Sequence, residues 1–161
     1  MIGHLTLKLS RKGLLKIPFK SLPISSKMRA CFSNFEIMKA IESINIAEKF
    51  SMFEKLWTPH IIGELNGQYV KLCKLKDEFV WHSHENEDEL FMVFKGTLLM
   101  DFRDGGTVEV KEGEILIVPK GVEHRPHTNG EIVFNLLFEP KGTEHTGKVE
   151  SELTVKEQNW L

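Results

Sequence analysis

At 161 residues, with 41% hydrophobic and 27% charged side chains, the chain is sized for about one domain with a real core rather than for a large multi-domain enzyme. The formal net charge of −2 hides an asymmetry: 7 of the 21 Lys and Arg residues fall within residues 1–35, where no acid occurs, and the 23 acids leave the remainder distinctly acidic. That argues against a nucleic-acid surface on the body, and no apolar run approaches the ~20 residues of a membrane-spanning helix.

Residues 1–37 are basic, hydroxyl-containing and acid-free up to Glu36, the composition of an organellar transit segment. Against that stand only two arginines and the helix-breaking Pro18 and Pro23. The segment is therefore expected to be a tail, or an extension upstream of a start at Met38, and lies outside the fold argument. Cys31 and Cys73 are far apart in unlike segments, so no disulfide framework is expected. A reducing compartment follows, cytoplasmic unless residues 1–37 direct the chain to an organelle.

From Met38 to Phe53 the spacing of Ile41, Ile44, Ala47 and Phe50 predicts a short amphipathic helix, with a linker to residue 60. Beyond Pro59 the pattern changes to short extended runs: 61–65, 68–75, 78–84, 89–94, 97–102, 107–110, 114–118 and 131–138. Between them stand turn formers such as Asn66-Gly67, Lys95-Gly96, Asp104-Gly105-Gly106 and Asn129-Gly130. Eight short strands at this spacing predict an all-β sandwich or small barrel over 61–140, and residues 141–161 read as a C-terminal tail.

Within this frame His82-Ser-His84-Glu-Asn-Glu-Asp-Glu89 stands out. Side chains alternate across a strand, so His82 and His84 share a face and Ser83 points away. After the polar turn Glu85, Glu87, Asp88, the next strand begins at Glu89, which can face the same imidazoles. Two imidazoles and a carboxylate are a transition-metal ligand set. Some thirty residues on, Ile115 to Val118 leads into Pro119-Lys-Gly121, a corner tight enough to aim His124 inward as a fourth ligand.

Together these segments resemble the two signature motifs of the cupin family. The first, G-x5-H-x-H-x(3,4)-E-x6-G, is met by His82, His84, Glu89 and Gly96, with Lys76 in place of the leading glycine and Asp77 beside it. The second, G-x5-P-x-G-x2-H-x3-N, is met by Gly113, Pro119, Gly121 and His124, with Thr128 at the final position and Asn129 after it. The resemblance singles out Glu89 among the four acids of the turn. It implies a cupin double-stranded β-helix (jelly-roll) barrel holding one divalent metal on His82, His84, Glu89 and His124. The chain also looks like the compact single-domain cupins related to mannose-6-phosphate isomerase.

Three histidines and one glutamate leave two positions of an octahedral ion open for water or substrate. Iron, manganese or nickel suits such a site better than zinc, which is still possible. The expected function is an enzyme acting on a small organic ligand, dioxygenase-like or isomerase-like. The alternatives are a non-catalytic metal- or small-ligand-binding module and a structural or storage role. Metal affinity is expected to fall below about pH 6 as histidines protonate. Lys71 and Lys74 should face opposite sides of one strand and form no phosphate patch. Inward Val80, Phe91 and Val93 would make the pocket apolar, which favours a neutral or weakly polar substrate.

The other residues read more plainly. His4, His60 and His145 are expected to be ordinary surface or satisfied core histidines, and His127 to face outward or sit at the mouth. Arg125 is either an anion contact or a partner of surface acids. Phe79, Trp81, Leu90 and Met92 are expected to cover the outer face of the sheet as a homodimer interface.

Overall fold

The computed structural model describes residues 41–161; the readings of residues 1–37, of Cys31 and of a helix start at Met38 lie outside them. Helix α1 spans Ile46–Ser51, shorter than expected. The reason is a cap: the Asn45 side chain accepts the Glu48 N–H at 3.2 Å, so the helix cannot begin earlier in register. Ile41 and Ile44 precede the cap and are exposed, and the buried apolar face is instead built on Phe50.

The remainder is β-structure. The strands are β1 His60–Leu65, β2 Gln68–Leu75, β3 Glu89–Lys95, β4 Thr97–Phe102, β5 Gly106–Lys111, β6 Ile115–Val118, β7 His124–His127, β8 Val133–Pro140 and β9 Asn159–Trp160. They form a six-stranded sheet, β6-β3-β8-β2-β1-β9, and a three-stranded sheet, β5-β4-β7. Asn66 and Gly67 both adopt positive φ, the two-residue hairpin that fixes Leu65 opposite Gln68.

Alternation along the strands decides which side chains meet between the sheets. Cys73 and Leu75 of β2, Phe91 and Val93 of β3, Leu98 and Met100 of β4, and Val133 and Leu137 of β8 share one buried cluster. On the opposite face of the large sheet Leu72 and Ile62 pack under Phe50 and Phe53. Burying each phenyl ring there contributes about 2–3 kcal/mol. Phe91 and Val93 are thus inward as expected, whereas Val80 is only partly buried against the same cluster.

Two expectations are corrected. Residues 78–84 form no regular strand; they touch the small sheet through isolated bridges, Glu78 with His127 and His82 with His124. The Lys76-Asp77 turn before them, with Asp77 at φ 60°, is closed by Thr128, whose hydroxyl accepts the Asp77 N–H at 2.9 Å. Because this segment bends, Phe79 turns inward and stacks on Trp57 at 4.7 Å, rather than covering the outer face. The second correction concerns residues 141–161. They return across the barrel, bury Thr143 and Thr146, and end in β9, which pairs parallel with β1.

Candidate metal centre

Backbone bonds knit the two motif segments together. His82 and His124 exchange N–H···O bonds of 3.0 and 2.9 Å, and the Gly121 N–H, at φ 79°, reaches the His84 carbonyl at 2.6 Å. A residue with a Cβ would be strained in that backbone conformation, so the glycine aims the corner that delivers His124. Gly96 plays a matching part after β3: at φ 88°, its α-carbon lies so close that a Cβ would stand 3.3 Å from the Ile132 carbonyl.

The result is convergence. One potential ligand atom from each of His82, His84, Glu89 and His124 lies within 4.8 Å of the others, and all four residues are buried. Glu89 Oε2 stands 3.1 Å from His84 Nε2 and 3.2 Å from His124 Nε2. Two ligands held ~2.1 Å from one ion are ~3.0 Å apart at a right angle and ~3.4 Å at the tetrahedral angle. The observed separations lie between these values.

Tautomers supply the chemical test of fit. His124 Nδ1 faces the Val122 carbonyl at 2.9 Å and His82 Nδ1 faces the Val80 carbonyl at 3.0 Å. A carbonyl only accepts, so each neutral ring carries its proton on Nδ1 and turns an Nε2 lone pair toward the centre. Glu89 Oε2, His84 Nε2 and His124 Nε2 are buried with no hydrogen-bond partner. Lone pairs packed against lone pairs out of water are unfavourable until a cation or proton sits among them. These donors fit a divalent metal ion.

Electrostatics agree. Burial first, and then His124, push the His82 imidazole down to about 3, so it stays neutral and ready to ligate. Burial would raise the Glu89 carboxyl, but a proton shared with the His124 and His84 imidazoles, in the place a cation would take, outweighs it and holds the group well below the ordinary carboxylate range. The pH edge near 6 expected from free imidazole is therefore displaced downward for His82.

Residues 72–138 match the Cupin domain family. The uncharacterized protein YdbB of Bacillus subtilis (strain 168) is 41% identical over 83 residues, which cover 52% of this chain and 73% of YdbB. The crystal structure of a cupin-2 domain containing protein from Shewanella frigidimarina is 43% identical and superposes with a TM-score of 0.59, covering 61% of this chain and 94% of that one. The chain belongs to the cupin family. A second solved structure, from Neisseria meningitidis, is 33% identical with a TM-score of 0.57, and covers 62% of this chain and 100% of its own. The all-β barrel expected of this cupin therefore stands as read.

Around the four ligand candidates the cupin barrel has two spaces. An interior cavity of about 30 Å³ is lined by Trp57, Cys73, Leu75, Phe79, Phe91 and Leu137, with His82, Glu89, Asn135 and His145 as its polar edge. A wider cleft of about 380 Å³ opens onto His82 and His84 and carries Glu85, Glu87, Glu123 and Glu144 against Lys148. The interior cavity has apolar walls, but of the three residues expected there only Phe91 lines it, Val80 and Val93 do not, and the entrance is acidic.

Other singled-out residues fall away from the centre. His127 and Arg125 alternate outward on β7: Arg125 binds Asp101 at 2.8 Å and Glu78 at 3.0 Å, and His127 Nε2 meets Asp101 at 3.1 Å. Trp81 is sandwiched by guanidiniums, Arg103 at 4.0 Å and Arg125 at 5.3 Å. Asp88 accepts the Lys120 N–H at 2.8 Å and Glu85 pairs with Lys148 at 2.8 Å, so the acidic turn is a solvated one. His60 stacks on Phe53 at 4.3 Å.

Four residues of the surroundings escaped the sequence reading. His145, expected to be ordinary, lines the interior cavity with a buried unpartnered Nδ1, and burial lowers its imidazole to about 4. No local pattern marks it, because the returning C-terminal segment brings it in. Asn135 is fully buried with neither amide atom paired. Lys71 and Glu139 form a buried ion pair of 2.6 Å. Alternation did carry a signal for the last two: 71, 73, 75 and 133, 135, 137, 139 are each one face of a strand.

Proposed function

We propose that this cupin binds one divalent transition metal on His82, His84, Glu89 and His124 and acts there on a small, neutral or weakly polar organic molecule. The observation that carries the reading is the set of buried, unpartnered Nε2 and Oε2 atoms facing one another beside an apolar cavity. Four protein ligands that leave two positions open suit six-coordinate iron, manganese or nickel better than tetrahedral zinc. Such an ion would polarise a bound oxygen atom of substrate or water. The protein's part is to keep His82 neutral, to turn His82 and His124 through the Val80 and Val122 carbonyls, to wall the site with Trp57, Phe79 and Phe91, and to surround the approach with carboxylates. Those carboxylates disfavour a phosphorylated substrate. Lys71, the inward lysine of β2, is already neutralised by Glu139, and Lys74 binds the Phe53 carbonyl at 2.7 Å on the other face.

Dioxygenase-like and isomerase-like chemistry are separated by oxygen. Metal-restored protein should consume oxygen with its substrate if the first holds, and turn the substrate over equally well under anaerobic conditions if the second does. Ligand binding without turnover in either atmosphere favours a second reading, a non-catalytic binding module. The interior cavity supports that reading, since 30 Å³ is about the room of one water molecule.

The same proposal includes a homodimer. The edge strand β6 presents Ile115 and Ile117, exposed by 57% and 55%, beside the half-buried Leu90 and Met92 of β3. An apolar strip along an unpaired strand is a surface that a second copy can cover.

A further inference from the structure

We propose that Lys71 and Glu139 are positioning residues of the metal centre: together they prop the Glu89 carboxylate against the three imidazoles and set how tightly a divalent cation is held. The inference rests on the metal-binding reading above and adds a part of the site beyond its four ligands.

Register places the three side chains in one row. Leu90 pairs with Phe138 and Phe91 with Leu137, so stepping back one residue on β3 sets Glu89 across from Glu139 on β8. On the other side of β8, Glu139 pairs with Tyr69 and Leu137 with Lys71, so Lys71 reaches Glu139 diagonally. Strand alternation turns Glu89, Glu139 and Lys71 to the barrel interior, where they are 5%, 3% and 1% exposed. Lys71 Nζ meets Glu139 Oε1 at 2.6 Å, and Glu139 Oε2, like Glu89 Oε2, is buried without a hydrogen-bond partner.

A structural reason for this row is weak. A buried ion pair commonly contributes no more than apolar residues of the same volume. Burial and the neighbouring Glu89 hold the Glu139 carboxyl well above its ordinary range, so little charge is set against Glu89 and the part Glu139 plays is one of position. Glu89 turns on three side-chain bonds and, lacking a cation, faces imidazole lone pairs that push it away. Glu139 blocks the retreat by volume, and Lys71 anchors Glu139 from the far side at 2.6 Å. Partners that orient a metal ligand in this way typically matter ~10–100-fold in metal affinity.

The test uses the full chain, stripped of metal and titrated with cobalt(II), reading affinity, the visible ligand-field spectrum and the melting temperature of the metal-free protein. In the double variant K71M/E139L the metal-free protein is expected to melt no lower than the parent, while cobalt affinity falls at least ~10-fold and the spectrum changes. E139Q, which keeps the shape and removes the carboxyl that Lys71 anchors, is expected to weaken cobalt by a similar factor and serves alone if the double variant does not fold. Either variant, once folded, binding cobalt within about threefold of the parent with the same spectrum would overturn the positioning role. A parent chain that binds neither cobalt nor another first-row divalent ion overturns the metal reading itself, a distinct outcome.

Discussion

At the scale of single residues, the decisive feature is where each proton must sit. Val80 and Val122 offer carbonyls to the Nδ1 atoms of His82 and His124, which leaves the opposite nitrogens free to ligate a metal. The motif spacing made these residues recognisable, but the carbonyls that orient them are invisible in a sequence because any residue type supplies one. The same burial has a consequence for stability. His82 and His145 are lowered to about 3 and about 4, below the unfolded value near 6.5. A histidine whose folded value is depressed resists protonation only in the native state, so its contribution is complete above about pH 6.5 and is lost as pH falls toward the folded value. Metal-free protein should therefore lose stability between about pH 6.5 and pH 4, by up to ~1.4 kcal/mol per pH unit for each such group. Denaturant melts across that range check it; a flat profile would contradict the buried neutral assignment. In the core, Phe91→Ala should lower stability by about 3–5 kcal/mol, measured in the same melts.

At the scale of elements, strands β1 to β6 and β8 were legible in the sequence to within about two residues, because turn formers punctuate them and one face of each is apolar. Segment 78–84 was not. Its alternation suggests a strand, but the positive φ of Asp77 and the bond from Phe79 N–H to the Pro126 carbonyl bend it, and Phe79 rolls into the core. The C-terminal segment was missed for a different reason: nothing in residues 141–161 is periodic, and beside the metal centre it is seated by a close approach of backbone to backbone. Gly147, at φ 53°, lies against the Ser83 carbonyl between the two histidine ligands, so tightly that a Cβ would collide with it. Gly147→Ala should lift this segment from the barrel. The expected result is faster proteolysis within residues 141–161 and a weaker metal site, read by time-course digestion and cobalt titration. Unchanged digestion would show that the contact yields without consequence.

At the scale of the whole molecule, the chain combines an all-β cupin barrel with a centre whose surroundings reach beyond the four ligand candidates. Interior ion pair Lys71–Glu139, cavity-lining His145 and unpartnered Asn135 distinguish that centre from its four ligands alone. Alternation places Lys71, Asn135 and Glu139 on inward faces, but the Lys71–Glu139 pairing joins residues 68 positions apart and His145 arrives by the folding back of the C-terminus, which no local pattern marks. The exposed β6 strip bears on assembly: Ile117→Lys should convert a dimer to monomer in sedimentation without altering metal binding, and a parent chain that sediments as a monomer would contradict the proposed interface. The central claim is that His82, His84, Glu89 and His124 hold one divalent ion. Metal content per chain, measured on protein purified without chelators and reconstituted with iron, manganese or nickel, tests it most directly when parent and His124→Ala are compared. The account predicts close to one ion per parent chain and little in the variant. No bound ion in the parent, or equal content in both, would contradict it.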